Sequence, residues 1–160
     1  MARVEQRLKE MGLVLPAALK PPAGRLPIAM ARLVGARVFV SGHPPLNPDG
    51  TLARPLGKVG GEVSAEQAYH AARLTGLAIL GSLQRALGDL DRIAAWARVF
   101  GMVNAAPGFN ATPDVVNGFS DLVLELFGPE VGVHARSAIG VAELPFDIPV
   151  EIEAEVALVA

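Results

Sequence analysis

The residues best equipped for chemistry lie in one stretch, from His134 to Glu153. Arg136 stands between Ala135 and Ser137 in a run that alternates like a strand and is otherwise apolar. A guanidinium is rarely buried without a partner, and its planar fork matches a carboxylate through two parallel charge-assisted bonds. Downstream, Glu151, Glu153 and Glu155 share one face of a second alternating segment. Three carboxylates so close repel one another unless solvated or paired, and one shielded from water becomes an acid/base group with a raised pKa. The combination suggests an anchor for an anionic ligand beside a group that can move a proton. A solvent-facing or ion-paired strand arginine and a solvated glutamate face fit the same pattern, so periodicity leaves both readings standing.

The two residues do not meet in a simple hairpin. With residues 144–149 as the loop, Glu151 would face Ala142 and Arg136 would face Ala157, about 20 Å apart at the rise of a strand. Either the two strands are not sheet neighbours or the residues combine across a subunit boundary. Composition favours a boundary. The chain has 160 residues, 51% of them apolar, and a mean hydropathy of +0.39. A domain of this size cannot hide that much apolar surface alone, so a closed symmetric oligomer is expected.

Other chemistries find little support. The net charge is −2 and no Lys/Arg block occurs, which argues against nucleic acid. There is no cysteine, hence no disulfide, thiol nucleophile or thiolate metal site. His43, His70 and His134 lack metal-ligand spacing, so no metal site is expected. Gly57-Lys58 fails as a phosphate loop, because Leu52 stands where the first glycine belongs and Val59 where Ser/Thr should follow. Ser41, Ser120 and Ser137 lack a nucleophile-elbow context. Residues 1–10 are polar and charged rather than leader-like, and no apolar run spans a bilayer. A cytoplasmic location, with no membrane partner, is expected.

The elements that must position these residues follow from local pattern. Residues 1–13 predict a short amphipathic helix with Val4, Leu8 and Met11 on one face, followed by a proline-rich connector. The first 20 residues are taken as an extension and 21–160 as the domain. Arg25–Ala31 and Arg37–Ser41 predict strands turning at Gly35. Ser64 to Leu87 predicts a helix with a Ser64/Gln67 capping box and Gly88 as terminator. Residues 92–104 fit a helical and a strand period equally. Thr112-Pro113-Asp114 predicts a capped helix running to Gly128-Pro129. Residues 134–144 and 150–159 predict two final strands. The sum is an α+β fold with helices on one face of a mostly antiparallel sheet.

Val40-Ser-Gly-His-Pro-Pro, Gly88-Asp-Leu-Asp-Arg, Asn117, Ala135-Arg-Ser, Leu144-Pro and Val150-Glu-Ile-Glu-Ala occur in that order. This series resembles the RidA/YjgF family over about residues 25–158, in a longer-chain subgroup. The resemblance implies a chorismate-mutase-like fold, with a mixed β-sheet, two helices packed on one face, and a homotrimer with clefts between subunits. It also implies a strand for residues 92–104. It assigns carboxylate binding to Arg136 and the acidic role to Glu151. Ser41 and Gly42 match the backbone lining the cleft, and Asn117 matches an asparagine near the site.

The implied activity is hydrolysis of 2-enamine/2-imino acids, such as 2-aminoacrylate, to 2-keto acids and ammonia, with no cofactor. The alternative is a trimer that binds a keto acid without turnover or serves regulation; chaperone-like and RNA-cleaving activities are also reported in the family. Three departures stand out: Ile28 where the deaminases carry tyrosine, Ala138 where many carry cysteine, and His43 where glutamine is frequent. The first bears on substrate range.

Overall fold

A computed structural model describes residues 3–21 and 24–159. Five strands form one sheet: β1 (Ala31–Val34), β2 (Arg37–His43), β3 (Ile93–Asn104), β4 (Ala135–Val141) and β5 (Val150–Leu158). The spatial order is β1-β2-β5-β3-β4, antiparallel except for the parallel β3–β4 pair. The last two strands are therefore not partners, because β3 lies between them. The segment of undecided period resolves as strand over Ile93–Asn104, after a 3-10 turn at Leu90–Arg92. Trp96, Val99 and Val103 of that strand are buried.

Helices α1 (Arg3–Glu10), α2 (Ala65–Leu87) and α3 (Thr112–Gly132) complete the fold. Ser64 and Gln67 form the reciprocal capping box at the start of α2, and Gly88 ends it with a left-handed φ of 79°. The helices approach closely because small residues face each other. A methyl at Gly118 of α3 would run into the Tyr69 carbonyl oxygen of α2, and one at Gly76 would lie 2.8 Å from Leu122 Cδ2. Tyr69 Oη donates to Asp121 (2.7 Å) and Arg73 pairs with Glu125 (2.6 Å) along the rim of this contact. Below it, Trp96 meets Phe119 and Phe127 edge-on, both with centroids 5.6 Å apart.

Several boundaries differ from expectation. The first strand begins at Ala31 rather than Arg25, since only Ala31–Val34 pairs with β2 and Pro27 lies upstream of the ladder. Thr112 is the first residue of α3, not its cap. Its hydroxyl donates to Ala138 O of β4 (3.0 Å), and Ala111 stands at the cap without a side-chain bond. The helix kinks at Gly128 and ends at Gly132. The N-terminal helix stops at Glu10, so Met11 lies outside it and is 40% exposed. Val4 and Leu8 join the central core, while residues 1 and 2 of the expected helix lie outside the described residues. Among the described residues, no helix is long and apolar enough to cross a membrane.

The contact at Gly118 gives a direct test. Gly118→Ala forces a Cβ against backbone that cannot rotate away, so we expect a loss of about 3 kcal/mol or more, read as a lower thermal midpoint.

Candidate functional site

The strand order decides which face each residue presents. Val99 of β3 is buried beneath the helices and lies level with Arg136, whereas Met102 lies level with Glu151. Met102 is three positions beyond Val99, an odd offset, and side chains alternate along a strand. Arg136 is therefore on the helix side at the sheet edge, and Glu151 is on the open face. Within one chain, strand spacing and rise put their Cα atoms about 14 Å apart.

Arg136 is anchored from α3. Its Nη1 donates to Asn117 Oδ1 (2.8 Å) and Ser120 Oγ (3.0 Å), and its Nη2 donates to Pro113 O (3.4 Å). All three acceptors are neutral, and among the described residues no carboxylate pairs with it. Guanidinium carries five N–H donors. Nε–H and one Nη2 hydrogen are left on adjacent nitrogens at a half-buried edge. Asn117, expected from sequence, touches Arg136 directly. Ser120 and His134 were missed. His134 Nδ1–H donates to Gly132 O (2.7 Å), so in the neutral ring Nε2 accepts the Ser120 hydroxyl (2.9 Å). Burial, assisted by the Arg136 charge, lowers the His134 pKa and favours this neutral form. Nothing in the spacing of Ser120 and His134 signals that contact.

On the open face, Glu151 is half-buried. Burial raises its pKa, and the neighbouring Glu153 charge raises it further. Gly42 packs directly on it, and a methyl there would collide with Glu151 Oε1. Ser41 and Gly42 lie where the β2–β5 register shifts between Val40 and His43, a bulge that leaves them opposite Glu153. The bulge is held on three sides. Ser41 N–H donates to Met30 O (3.0 Å), Ser41 Oγ to Ala29 O (2.7 Å), and Ser41 O accepts from His43 Nδ1 (2.6 Å). The adjoining open-face cavity, about 390 Å³, is lined by Arg32, Phe39, Ser41, Arg98, Phe100 and Glu153. Glu155 is paired with Arg37 at 3.0 Å, so of the three glutamates it is the one with an ion-pair partner.

Ser41, Gly42 and Glu151 thus converge on one face, Arg136 and Asn117 on the other. Ile28 is 58% exposed on the segment before β1, and Ala138 lies under α3. Lys58, rejected as a phosphate ligand, donates to Asn104 Oδ1 (2.9 Å) and to Ala142 O. Among the described residues, the one cluster with metal-ligand geometry is Glu5, Asp89 and Asp91. Four of its six oxygens accept backbone N–H groups of residues 3, 4, 90 and 91, while Glu5 Oε2 is buried without a hydrogen-bond partner.

Residues 5–150 match the family described as "YjgF/chorismate mutase-like, putative endoribonuclease". The chain belongs to this family. Protein TCP17 of Trypanosoma cruzi is 39% identical over 156 residues, covering 98% of this chain and 94% of that protein. The crystal structure of Atu1372 from Agrobacterium tumefaciens, of unknown function, aligns with a TM-score of 0.85 at 38% identity, over 98% and 92% of the two chains. A "putative endoribonuclease" from Shewanella oneidensis gives 0.87 at 30%, over 97% and 99%. Escherichia coli TdcF with bound serine shares the fold at 20% identity and a TM-score of 0.59, over 92% and 98%. The YjgF-family fold thus carries both clusters of this chain on one sheet.

His43 makes a second prediction possible. Burial lowers its pKa to about 4, opposed by the bond to Ser41 O and assisted by the Arg85 charge. The unfolded chain takes up a proton near pH 6.5 that the folded chain refuses until about pH 4. Stability from this group is therefore complete above pH 6.5 and is lost as pH falls to 4, on the order of 3 kcal/mol in all. His43→Gln should flatten the acid side of the thermal-midpoint profile between those limits.

Proposed function

We propose that the chain hydrolyses 2-imino acids, formed from enamines such as 2-aminoacrylate, to 2-keto acids and ammonia. The site is a cleft between copies of the chain in a homotrimer, with Arg136 and Asn117 from one copy and Ser41, Gly42 and Glu151 from its neighbour. The observation that carries this reading is the state of Arg136: fixed by neutral acceptors, free of any carboxylate among the described residues, with two donors unspent. That is a prepared receptor for a planar anion. The open sheet face, where Val34, Phe39 and Ile139 are 51%, 43% and 42% exposed, supports self-association. The serine bound by TdcF is also a small α-carboxylate.

In this mechanism, Arg136 clamps the substrate carboxylate and the protonated imine carbon lies against the Ser41–Gly42 backbone. Glu151, ionised, takes a proton from water as the oxygen attacks that carbon. The proton returns to nitrogen, the C–N bond breaks, and the carbinolamine hydroxyl gives its proton through Glu151 to the departing ammonia, leaving keto acid and ammonium. Iminium and water become keto acid and ammonium, so the step needs no redox partner. The raised pKa of Glu151 suits a base that must also return its proton.

A semicarbazide competition assay, with an amino-acid oxidase supplying the imine, tests the activity. Wild-type protein should suppress semicarbazone formation. Arg136→Ala should lose about a hundredfold or more in kcat/KM, given two charge-assisted bonds, while keeping its oligomeric mass. Unchanged turnover would remove Arg136 from the reaction, and a monomer in solution would remove the shared cleft. Ligand bound at Arg136 with no turnover would favour a keto-acid binder instead.

The Glu151–Glu153 contact gives a pH signature. The base must be ionised, so kcat/KM falls on acidification through the raised Glu151 pKa. Glu153→Gln removes one cause of the rise and should move that acid limb to lower pH.

A further inference from the structure

A second pocket lies on the opposite side of the bulge, between the connector and α2. Its volume is about 430 Å³, and Ala18, Leu19, Leu26, Met30 and Leu46 give it apolar walls. His43, Ser82 and Arg85 supply its polar edge. Arginine only donates, and a neutral His43 that donates Nδ1–H to Ser41 O accepts at Nε2. Arg85 Nη1 donates to Pro16 O (3.1 Å) and Nη2 to Ser82 Oγ (3.1 Å). Ser82 then gives its hydrogen to His43 Nε2 (2.8 Å). His43, kept neutral by its burial, brings no charge to the pocket. Arg85 is held in place by two neutral oxygens and has three donors left. Among the described residues no carboxylate pairs with it. An apolar chamber with one positioned, unpaired cation at its edge fits a ligand with a single anionic head and an apolar tail.

We propose that this pocket is a binding site for an aliphatic monocarboxylate, its head group on the unspent donors of Arg85 and its tail against Leu19, Leu26, Met30 and Leu46. A divalent anion is disfavoured, because among the described residues one guanidinium is the sole cation lining the chamber. The site is separate from the proposed imine cleft, on the other side of the Ser41–Gly42 bulge, and does not depend on that cleft being catalytic.

The methionines report on it. Met30 lines this pocket, Met102 lies level with Glu151 on the open face, and Met11, just after α1, lines neither the pocket nor the open-face cavity. Methyl-¹³C methionine spectra of the full chain are recorded during titration with octanoate, and with 1-octanol as a headless control. Octanoate is expected to shift the Met30 methyl saturably in wild type and in Arg136→Ala, leaving Met11 unmoved. Octanol should bind at least tenfold more weakly. Arg85→Gln should weaken octanoate at least tenfold, and Arg85→Lys should fall between, since it keeps the charge and loses the fork. Arg85 is exposed, so these variants are expected to fold, and their circular dichroism checks it. The proposal is overturned if Met30 does not respond at millimolar octanoate, or if the response survives Arg85→Gln intact. A response abolished by Arg136→Ala would also overturn it, by assigning octanoate to the cleft.

Discussion

β5, the central strand of the sheet, has two unlike faces. Val150, Ile152 and Val156 are buried under the helices, while Glu151, Glu153 and Glu155 line the other side. A strand with one apolar face is fixed in register, since a slip of one residue would drive three carboxylates into the core. With β5 between β2 and β3, that register sets Glu151 against the Ser41–Gly42 bulge, and β4 lies at the sheet edge. The carboxylate row also creates the electrostatics of the open face. Arg37 neutralises Glu155, and Glu153 raises the proton affinity of Glu151.

Two arginines are fixed by the same construction. Arg136 donates to Ser120, which is set against His134, which rests on Gly132 O. Arg85 donates to Ser82, which is set against His43, which rests on Ser41 O. In each chain the serine converts a donor-only guanidinium into a bond to a neutral histidine. The guanidinium is oriented without being neutralised, which a carboxylate partner would not allow. Burial of the two imidazoles matters here, because protonation of either would set a second cation against its arginine. A cation held by neutral oxygens keeps its charge available for an incoming anion.

Where sequence reasoning succeeded, the signal was local. The α2 cap residues lie within four positions of one another, and the glutamate alternation needs only β5. Where it failed, a distant partner decided. Residues 92–104 fit both periods until the neighbours β4 and β5 on either side select the strand. Thr112 looks like a cap but spends its hydroxyl on Ala138, a residue of β4. Arg25–Ala31 has strand-like residues yet no ladder partner before Ala31. At the site, Asn117 and Arg136 were legible together only through the resemblance to a family. Ser120, His134, Ser82 and Arg85 carried no pattern at all, because each acts through contacts between separate elements.

The parity of the β3 register explains why one chain does not bring Arg136 and Glu151 together. For Arg136 to share a face with Glu151, β4 would have to slip by one residue along β3. Ser137 and Ile139 would then turn under α3, and Arg136 would lose Asn117, Ser120 and Pro113 together. The Thr112–Ala138 bond at the start of α3 would break as well. The register that anchors the guanidinium is thus the one that denies it the glutamate of its own chain. If anchor and base act on one substrate, a second copy must bring the glutamate to the edge strand. Assembly is then a condition of the chemistry, and Arg136 and Glu151 would be impaired by any substitution that separates the copies, however far it lies from either residue.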